Sequence, residues 1–145
     1  MKDFELLPHT ADIKLRVFGK DVSDLFRNAL VGMFQCMRPD AENCRLVEGR
    51  TVCDVLPIER KVIIENSDME LLLVDYLSEA LYLSDVYNEA YLDADIKIVD
   101  RVMHAALKGV SVTRFEGVEI KAVTYHELDV QQTANGWQAD VIFDI

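Results

Sequence analysis

The sequence predicts an α+β fold in which a mostly antiparallel sheet packs against two main helices. Segments in which apolar and polar residues alternate predict strands, and two segments with apolar residues three and four positions apart predict helices. The dipeptide Asn135-Gly136, set between two alternating segments, predicts an antiparallel hairpin near the end of the chain. At 145 residues, half of them hydrophobic, the chain has the size and composition of one domain, so we expect a single domain over residues 1–145.

The first strand and the first helix follow each other directly. From Asp12 to Phe18, apolar and charged residues alternate, which places one side of the strand on a core and the other in water. Gly19 ends this strand. The apolar residues that follow recur with helical spacing, and they predict an amphipathic helix with Asp21 as its N-cap and Pro39 as its stop.

The middle of the chain predicts two strands and a second helix. Residues 44–65 are rich in β-branched side chains and are interrupted near Pro57, which cannot donate to a sheet ladder. Ser67 and Glu70 fit a capping box, and a helix is predicted from there to about Tyr87. Its apolar residues cover a wide arc, so we expect this helix to be the one most buried against the sheet.

The last third of the chain predicts strands throughout. One alternating segment runs from Leu92 to Ile98 and another extended segment from about Val102 to Val112. A strand around Leu128 to Gln132 is then joined by Asn135-Gly136 to the last strand, Trp137 to Ile145. A type I′ turn is predicted at that dipeptide, since both central residues of such a turn have φ > 0.

The charge balance is strongly acidic. With 26 Asp plus Glu against 15 Lys plus Arg, the formal net charge is -11, which repels phosphate backbones and argues against direct binding of nucleic acid. The same charge suits docking on a basic partner, although simple solubility is the more common reason for such a charge. No apolar stretch is long enough for a membrane helix and the N-terminus has no signal core, so we expect a cytoplasmic protein.

The three cysteines indicate neither a disulfide framework nor a zinc site. Cys36, Cys44 and Cys53 are odd in number and show no C-x-x-C spacing. We therefore expect free thiols.

The two ends of the chain carry the candidate chemistry, since the common dinucleotide, phosphate-loop, zinc-protease and serine-hydrolase motifs are absent. Asp12 opens the first alternating strand, and the last strand ends on Asp144 and the α-carboxylate of Ile145. If these strands are antiparallel neighbours, the three carboxylates converge, and such oxygen ligands suit Ca²⁺, Mg²⁺ or Mn²⁺. The alternative is that the aspartates are solvated or cap turns.

Two further polar segments lie outside this set. His9 is a candidate fourth ligand of the metal or a hydrogen-bond partner of its ligands. The alternative is that it satisfies local hydrogen bonds beside Pro8. Lys121 to His126 concentrates an ammonium, two hydroxyls and an imidazole, which indicates either a polar site or a strand with polar residues on one face.

These segments, taken in order, resemble the archease family, small acidic proteins that assist the RtcB-type RNA ligase in tRNA splicing. The resemblance spans nearly the full length. It rests on His9-Thr10-Ala11-Asp12 before a strand, on Asp68 to Leu77, on Lys121 to His126, and on the ending Val141-Ile142-Phe143-Asp144-Ile145.

The resemblance implies that Asp12, Asp144 and the Ile145 carboxylate bind a divalent metal, with Lys121 and His126 in supporting or partner-contact roles. It also implies an activator rather than a stand-alone enzyme, one that promotes guanylylation of the ligase so that the ligase turns over repeatedly. The competing interpretations are a metal-dependent phosphoester hydrolase and a chaperone-like binding module. The sequence shows no obvious general base for the hydrolase.

Overall fold

The structure is a computed structural model that describes residues 2–8 and 11–145. Its elements in chain order are β1 (Phe4–Leu7), β2 (Ile13–Gly19), α1 (Val22–Met37), β3 (Pro39–Asp40), β4 (Cys44–Val47), β5 (Arg50–Cys53), β6 (Ile58–Glu65), α2 (Met69–Tyr87), β7 (Glu89–Val99), β8 (Val102–Ser111), β9 (Arg114–Phe115), β10 (Ala122–Thr133) and β11 (Gly136–Asp144).

The strands form two main antiparallel sheets. One has the strand order β1-β2-β11-β10 and the other the order β6-β8-β7, while β3 pairs with β9 and β4 pairs with β5. Helices α1 and α2 pack against both main sheets. The predicted α+β class, with mostly antiparallel sheet and two main helices, is confirmed.

Helix α1 begins and ends as its sequence predicts. The Asp21 carboxylate accepts a hydrogen bond from the Asp24 backbone N–H at 2.8 Å, which satisfies one of the free donors of the first turn. Arg38 leaves the helix in a left-handed conformation with φ of 50°, and Pro39 follows. Between these caps α1 packs against β2 of one sheet and β7 of the other, so most of its side chains are buried.

The prediction that α2 is the most buried helix is wrong. It buries a smaller share of its residues than α1, and its apolar side chains at both ends face solvent, with Leu71 38% and Tyr82 62% exposed. A wide apolar arc shows how much of a helix can be buried. How much of it is in fact buried depends on how many strands the fold packs against it. The cap of α2 is also Asp68 rather than Ser67, since the Asp68 carboxylate accepts from the Glu70 and Leu71 N–H groups.

Three strands, rather than two, occupy residues 44–65. The first predicted strand folds back on itself as the β4–β5 hairpin, with Val47 opposite Arg50 and the turn at Glu48-Gly49. Both turn residues have positive φ, 51° and 82°, so this is the type I′ geometry. The predicted break at Pro57 then separates β5 from β6.

The same hairpin corrects the expectation of free cysteines. Pairing of β4 with β5 places Cys44 opposite Cys53 with their Cα atoms 4.0 Å apart, and the two sulfurs form a disulfide. Cys36 is the thiol left over, and burial raises its pKa to about 11. No sequence spacing rule anticipates a pair that a hairpin register creates.

The terminal hairpin is present, but its turn is shifted by one residue. Thr133 pairs with Gly136, so Ala134 and Asn135 form the turn and Gly136 begins β11 with a φ of 142°. Asn135 does not adopt positive φ, and the predicted type I′ turn is therefore wrong.

Neither of the two helices, which both lie within the described residues, is long and apolar enough to cross a membrane.

Candidate metal centre

The register between β2 and β11 brings Asp12 and Asp144 to the same end of a sheet. The strands are antiparallel neighbours, and their pairing runs from Gly19 opposite Trp137 to Ile13 opposite Phe143. Asp12 immediately precedes Ile13, and Asp144 immediately follows Phe143. The geometric premise of the predicted site is therefore met, since Asp12 and Asp144 lie at the same end of the four-stranded sheet.

A third strand brings Lys121 to this end. Ala122 is paired with Asp144, and the Lys121 backbone N–H donates a hydrogen bond of 2.7 Å to the Asp144 carbonyl oxygen. The Lys121 side chain is exposed. We call the group formed by Asp12, Lys121, Asp144 and Ile145 the carboxylate end.

The carboxylate end is accessible to a ligand or a partner. Asp144 and Ile145 are exposed, Ile145 to 44%, while Asp12 is half-buried. In the part of the chain that the structure describes, no side chain forms a hydrogen bond or an ion pair with the Asp144 carboxylate. A cation from outside can therefore reach this carboxylate.

The basic residues of β2 contact Asp140, which lies on β11 before Asp144. The Arg16 guanidinium makes a bidentate contact with Asp140, with Nε to Oδ1 at 2.8 Å and Nη2 to Oδ2 at 3.0 Å, which raises the pKa of Arg16. Lys14 Nζ also lies 3.9 Å from Asp140 Oδ2. Both cations therefore lie against Asp140 and not against Asp144.

The donor set fits a hard divalent cation. Carboxylates about 4 Å apart repel by about 4 kcal/mol per pair at an effective dielectric near 20, and a bound Ca²⁺, Mg²⁺ or Mn²⁺ would remove that repulsion. Within residues 2–8 and 11–145, no group of three His, Cys, Asp or Glu side chains could hold a metal ion. Asp12 and Asp144 therefore have no third described side chain of these types with which to form such a group.

The structure describes one of the two predicted histidines. His9 lies outside the described residues, so its supporting role stays a prediction. His126 lies in a bulge of β10, where the pairing with β11 shifts between Thr124 and Asp129. Its side chain is 75% exposed, its Nε2 lies 3.9 Å from a Glu127 oxygen, and its backbone N–H donates to Thr124 Oγ1. His126 lies four residues after Ala122, which is paired with Asp144, and its supporting role also stays a prediction.

The sequence analysis missed a groove beside the carboxylate end. It lies between α2 and residues 115–123, has a volume of about 650 Å³, and includes Lys121 in its wall. Residues 113–120 show no clear alternation, and the groove arises only where they pass the second half of α2. No local sequence signal could have predicted it.

The fold and the carboxylate end define a small acidic α+β protein that carries its candidate site at a sheet end instead of in a buried catalytic cleft. The family model of the archease protein family (MTH1598/TM1083) matches residues 4–145, and the chain belongs to this family.

Known relatives agree over almost the whole chain. Protein archease of Methanosarcina mazei is 37% identical, with 99% of this chain and 97% of that protein covered. The solution structure of Methanobacterium thermoautotrophicum protein 1598 is 30% identical, with a TM-score of 0.69 and all of both chains covered. A crystal structure of an archease from Thermotoga maritima, described as a possible chaperone, is 21% identical, with a TM-score of 0.63 and 96% of this chain and 94% of that chain covered.

Proposed function

We propose that this protein is an accessory protein that activates an RtcB-type RNA ligase by promoting its guanylylation. The observation that carries the proposal is the β2–β11 register, which places Asp12 beside Asp144 and the chain terminus. Family membership supports a role as a protein that acts with a partner. The ligase, rather than this chain, performs the chemistry of joining RNA ends, and the compartment we propose is the cytoplasm.

The residues at the carboxylate end have separate tasks in this proposal. Asp12, Asp144 and the Ile145 carboxylate would hold a divalent cation, which would supply positive charge to neutralise phosphate oxygens during nucleotide transfer. The exposed Lys121 ammonium adds a second positive charge at the same end. Together these groups offer positive charge to a phosphate from a protein that is otherwise strongly acidic.

The acidic surface supports protein docking over nucleic-acid binding. A net charge of -11 steers the protein toward a basic surface and away from RNA, whose phosphates it repels. We therefore propose transient contact with the ligase and no direct contact with the RNA substrate.

The test is ligase guanylylation with GTP, in the presence and absence of this protein. A short C-terminal tag converts the Ile145 carboxylate into a neutral amide, so it should remove most of the stimulation. The same tag at the N-terminus is the matched control and should leave stimulation in place. Equal stimulation by both tagged forms would contradict a role for the terminal carboxylate.

Two additional measurements distinguish the alternative functions. A phosphoester hydrolase would turn over a phosphoester panel with Mg²⁺ or Mn²⁺ and without any ligase. A chaperone-like module, as the Thermotoga maritima relative is described, would assist its partner equally well after chelation of divalent cations.

A further inference from the structure

The groove between α2 and residues 115–123 carries features that the carboxylate end does not explain. Its lining combines polar residues with apolar ones, among them Ile120 and Val123, which are each only 7% exposed. On its rim the Tyr82 ring is 62% exposed. A groove of about 650 Å³ is large enough to accept several side chains.

Two carboxylates without an ion pair line this groove. Asp85 and Glu119 both line it and are exposed, and in the described part of the chain neither forms an ion pair. The last turn of α2 contains no basic residue, so the partial negative charge of the helix C-terminus adds to these carboxylates. Lys121 is the one cationic residue of the lining.

We propose that this groove docks a segment of the partner protein that combines apolar side chains with lysine or arginine. The apolar side chains would cover the groove interior, and the cationic residues would lie against Asp85, Glu119 and the end of α2. Phosphate groups are disfavoured beside Asp85 and Glu119, because these two carboxylates and the C-terminus of α2 repel them. Charge complementarity thus selects a basic protein segment over a nucleotide or an RNA.

The position of the groove gives docking a consequence for the proposed function, on which this part of the inference rests. Lys121 belongs both to the groove wall and to the carboxylate end, where its N–H is bonded to the Asp144 carbonyl. A partner segment seated in the groove would therefore hold the carboxylate end against a neighbouring surface of the same partner. The groove would supply affinity, and the carboxylate end would supply stimulation.

A peptide titration tests the groove without any ligase. The probe is a synthetic peptide of about 12 residues composed of leucine and lysine, and its control has glutamate in place of lysine. We expect only the lysine peptide to shift the backbone amide resonances of residues 81–88 and 115–123. Shifts elsewhere, or stronger shifts with GTP, would overturn the proposal, as would a concentration-dependent dimer with the groove at its interface.

Charge reversal supplies the matched variants. Asp85→Lys with Glu119→Lys should raise the Kd for the lysine peptide about tenfold. Glu59→Lys with Glu65→Lys changes the net charge equally on β6, outside the groove, and should change this Kd by much less. Equal weakening by both double variants would show a general charge effect and would overturn the docking site.

Titration of a purified RtcB-type ligase separates this inference from the proposed function. The groove variant should raise the concentration for half-maximal stimulation about tenfold and keep the maximum. An unchanged half-maximal concentration, with normal stimulation by the wild-type protein, would overturn the groove as the ligase contact. If the wild-type protein neither binds nor stimulates the ligase, the proposed function fails, and the peptide titration alone decides the groove.

Discussion

Two regions of this protein use carboxylates in opposite ways. Glu89, at the start of β7, is 3% exposed and receives a bidentate contact from Arg60 at 2.9 and 2.8 Å together with the Tyr91 hydroxyl at 2.8 Å. Asp144, at the end of β11, is exposed and no described side chain pairs with it. One carboxylate is satisfied within the chain, whereas the other is available to something outside it.

The difference separates a stabilising site from one that we propose to be functional. Arg60 also stacks on the Tyr87 ring at 3.9 Å and thereby fixes the end of α2 against β6 and β7. Removal of one member of such a pair leaves the other without its charged partner. We therefore expect changes to this pair to lower the free energy of unfolding. The exposed Asp144 carboxylate has no such side-chain partner among the described residues, so we expect it to contribute little to stability.

The largest expected effect is on activation. Asp144→Asn removes a proposed metal ligand, so stimulation of ligase guanylylation should fall by at least about tenfold. The free energy of unfolding should change by only about 0.5 kcal/mol, since Asp144 is exposed. Transfer of labelled GMP to the ligase and urea unfolding measure the two quantities. Full stimulation by this variant would contradict the role that we propose for Asp144.

Glu89→Gln should show the reverse pattern. It removes the charge that Arg60 pairs with, and we expect a loss of about 2 kcal/mol in the free energy of unfolding. Stimulation of the ligase should be retained at temperatures where the variant is folded. The control is Asp54→Asn in the exposed Arg45–Asp54 pair, which should change stability by about 0.5 kcal/mol or less. Equal losses in both variants would show that burial of Glu89 does not matter.

The pH dependence of stability should isolate the same pair. The Arg60 guanidinium holds the pKa of Glu89 below its usual value in the folded protein. The unfolded state therefore binds more protons in this window, and the contribution of Glu89 is present above its unfolded pKa of about 4.3 and is lost as the pH falls through the folded pKa.

Urea unfolding from pH 7 down to pH 3 measures this contribution. The stability of the wild-type protein should approach that of Glu89→Gln at acidic pH, while Asp3, whose pKa is lowered by Arg50, contributes equally to both curves. A difference that stays constant across this range would contradict the assignment to Glu89.

The smallest expected effect is the stability gained from a cation. Ca²⁺ or Mn²⁺ at about ten times its Kd should stabilise the wild-type protein by about 1.4 kcal/mol, which corresponds to a rise of several degrees in Tm. Asp144→Asn should lose this rise, and Glu89→Gln should keep it. Thermal melts with and without a chelator measure it, and an identical rise in Asp144→Asn would place the cation elsewhere.

Much of the local structure was predictable because it depends on neighbours in sequence. The alternation before Gly19 and the cap at Asp21 specify β2 and the start of α1 from a few adjacent residues. The Asn135-Gly136 signal located the last hairpin but misplaced its turn by one residue, because cross-strand pairing decides which two residues form the turn. The cap of α2 shifted from Ser67 to Asp68 for a similar reason, since two polar residues competed for one position.

The candidate site was predictable only in its parts. That Asp12 and Asp144 begin and end strands could be read from the pattern, but their proximity required β2 and β11 to be neighbours. His126 follows Lys121 by five residues, but it lies in the β10 bulge and not in the paired stretch that places Ala122 opposite Asp144. The groove gave no sequence signal, since α2 and residues 115–123 are unrelated in sequence and meet only in space.

The sequence alone determined the acidic charge, the chemical identity of the candidate carboxylates and the apolar face of each helix and strand. Periodicity encodes these because it depends on the repeat of a single element. The tertiary structure alone decided that α1 is the more buried helix, that Cys44 meets Cys53, that Arg60 satisfies Glu89 and that Asp12 lies beside Asp144. Each depends on which elements pack or pair, and that choice is made by the whole core rather than by any one segment.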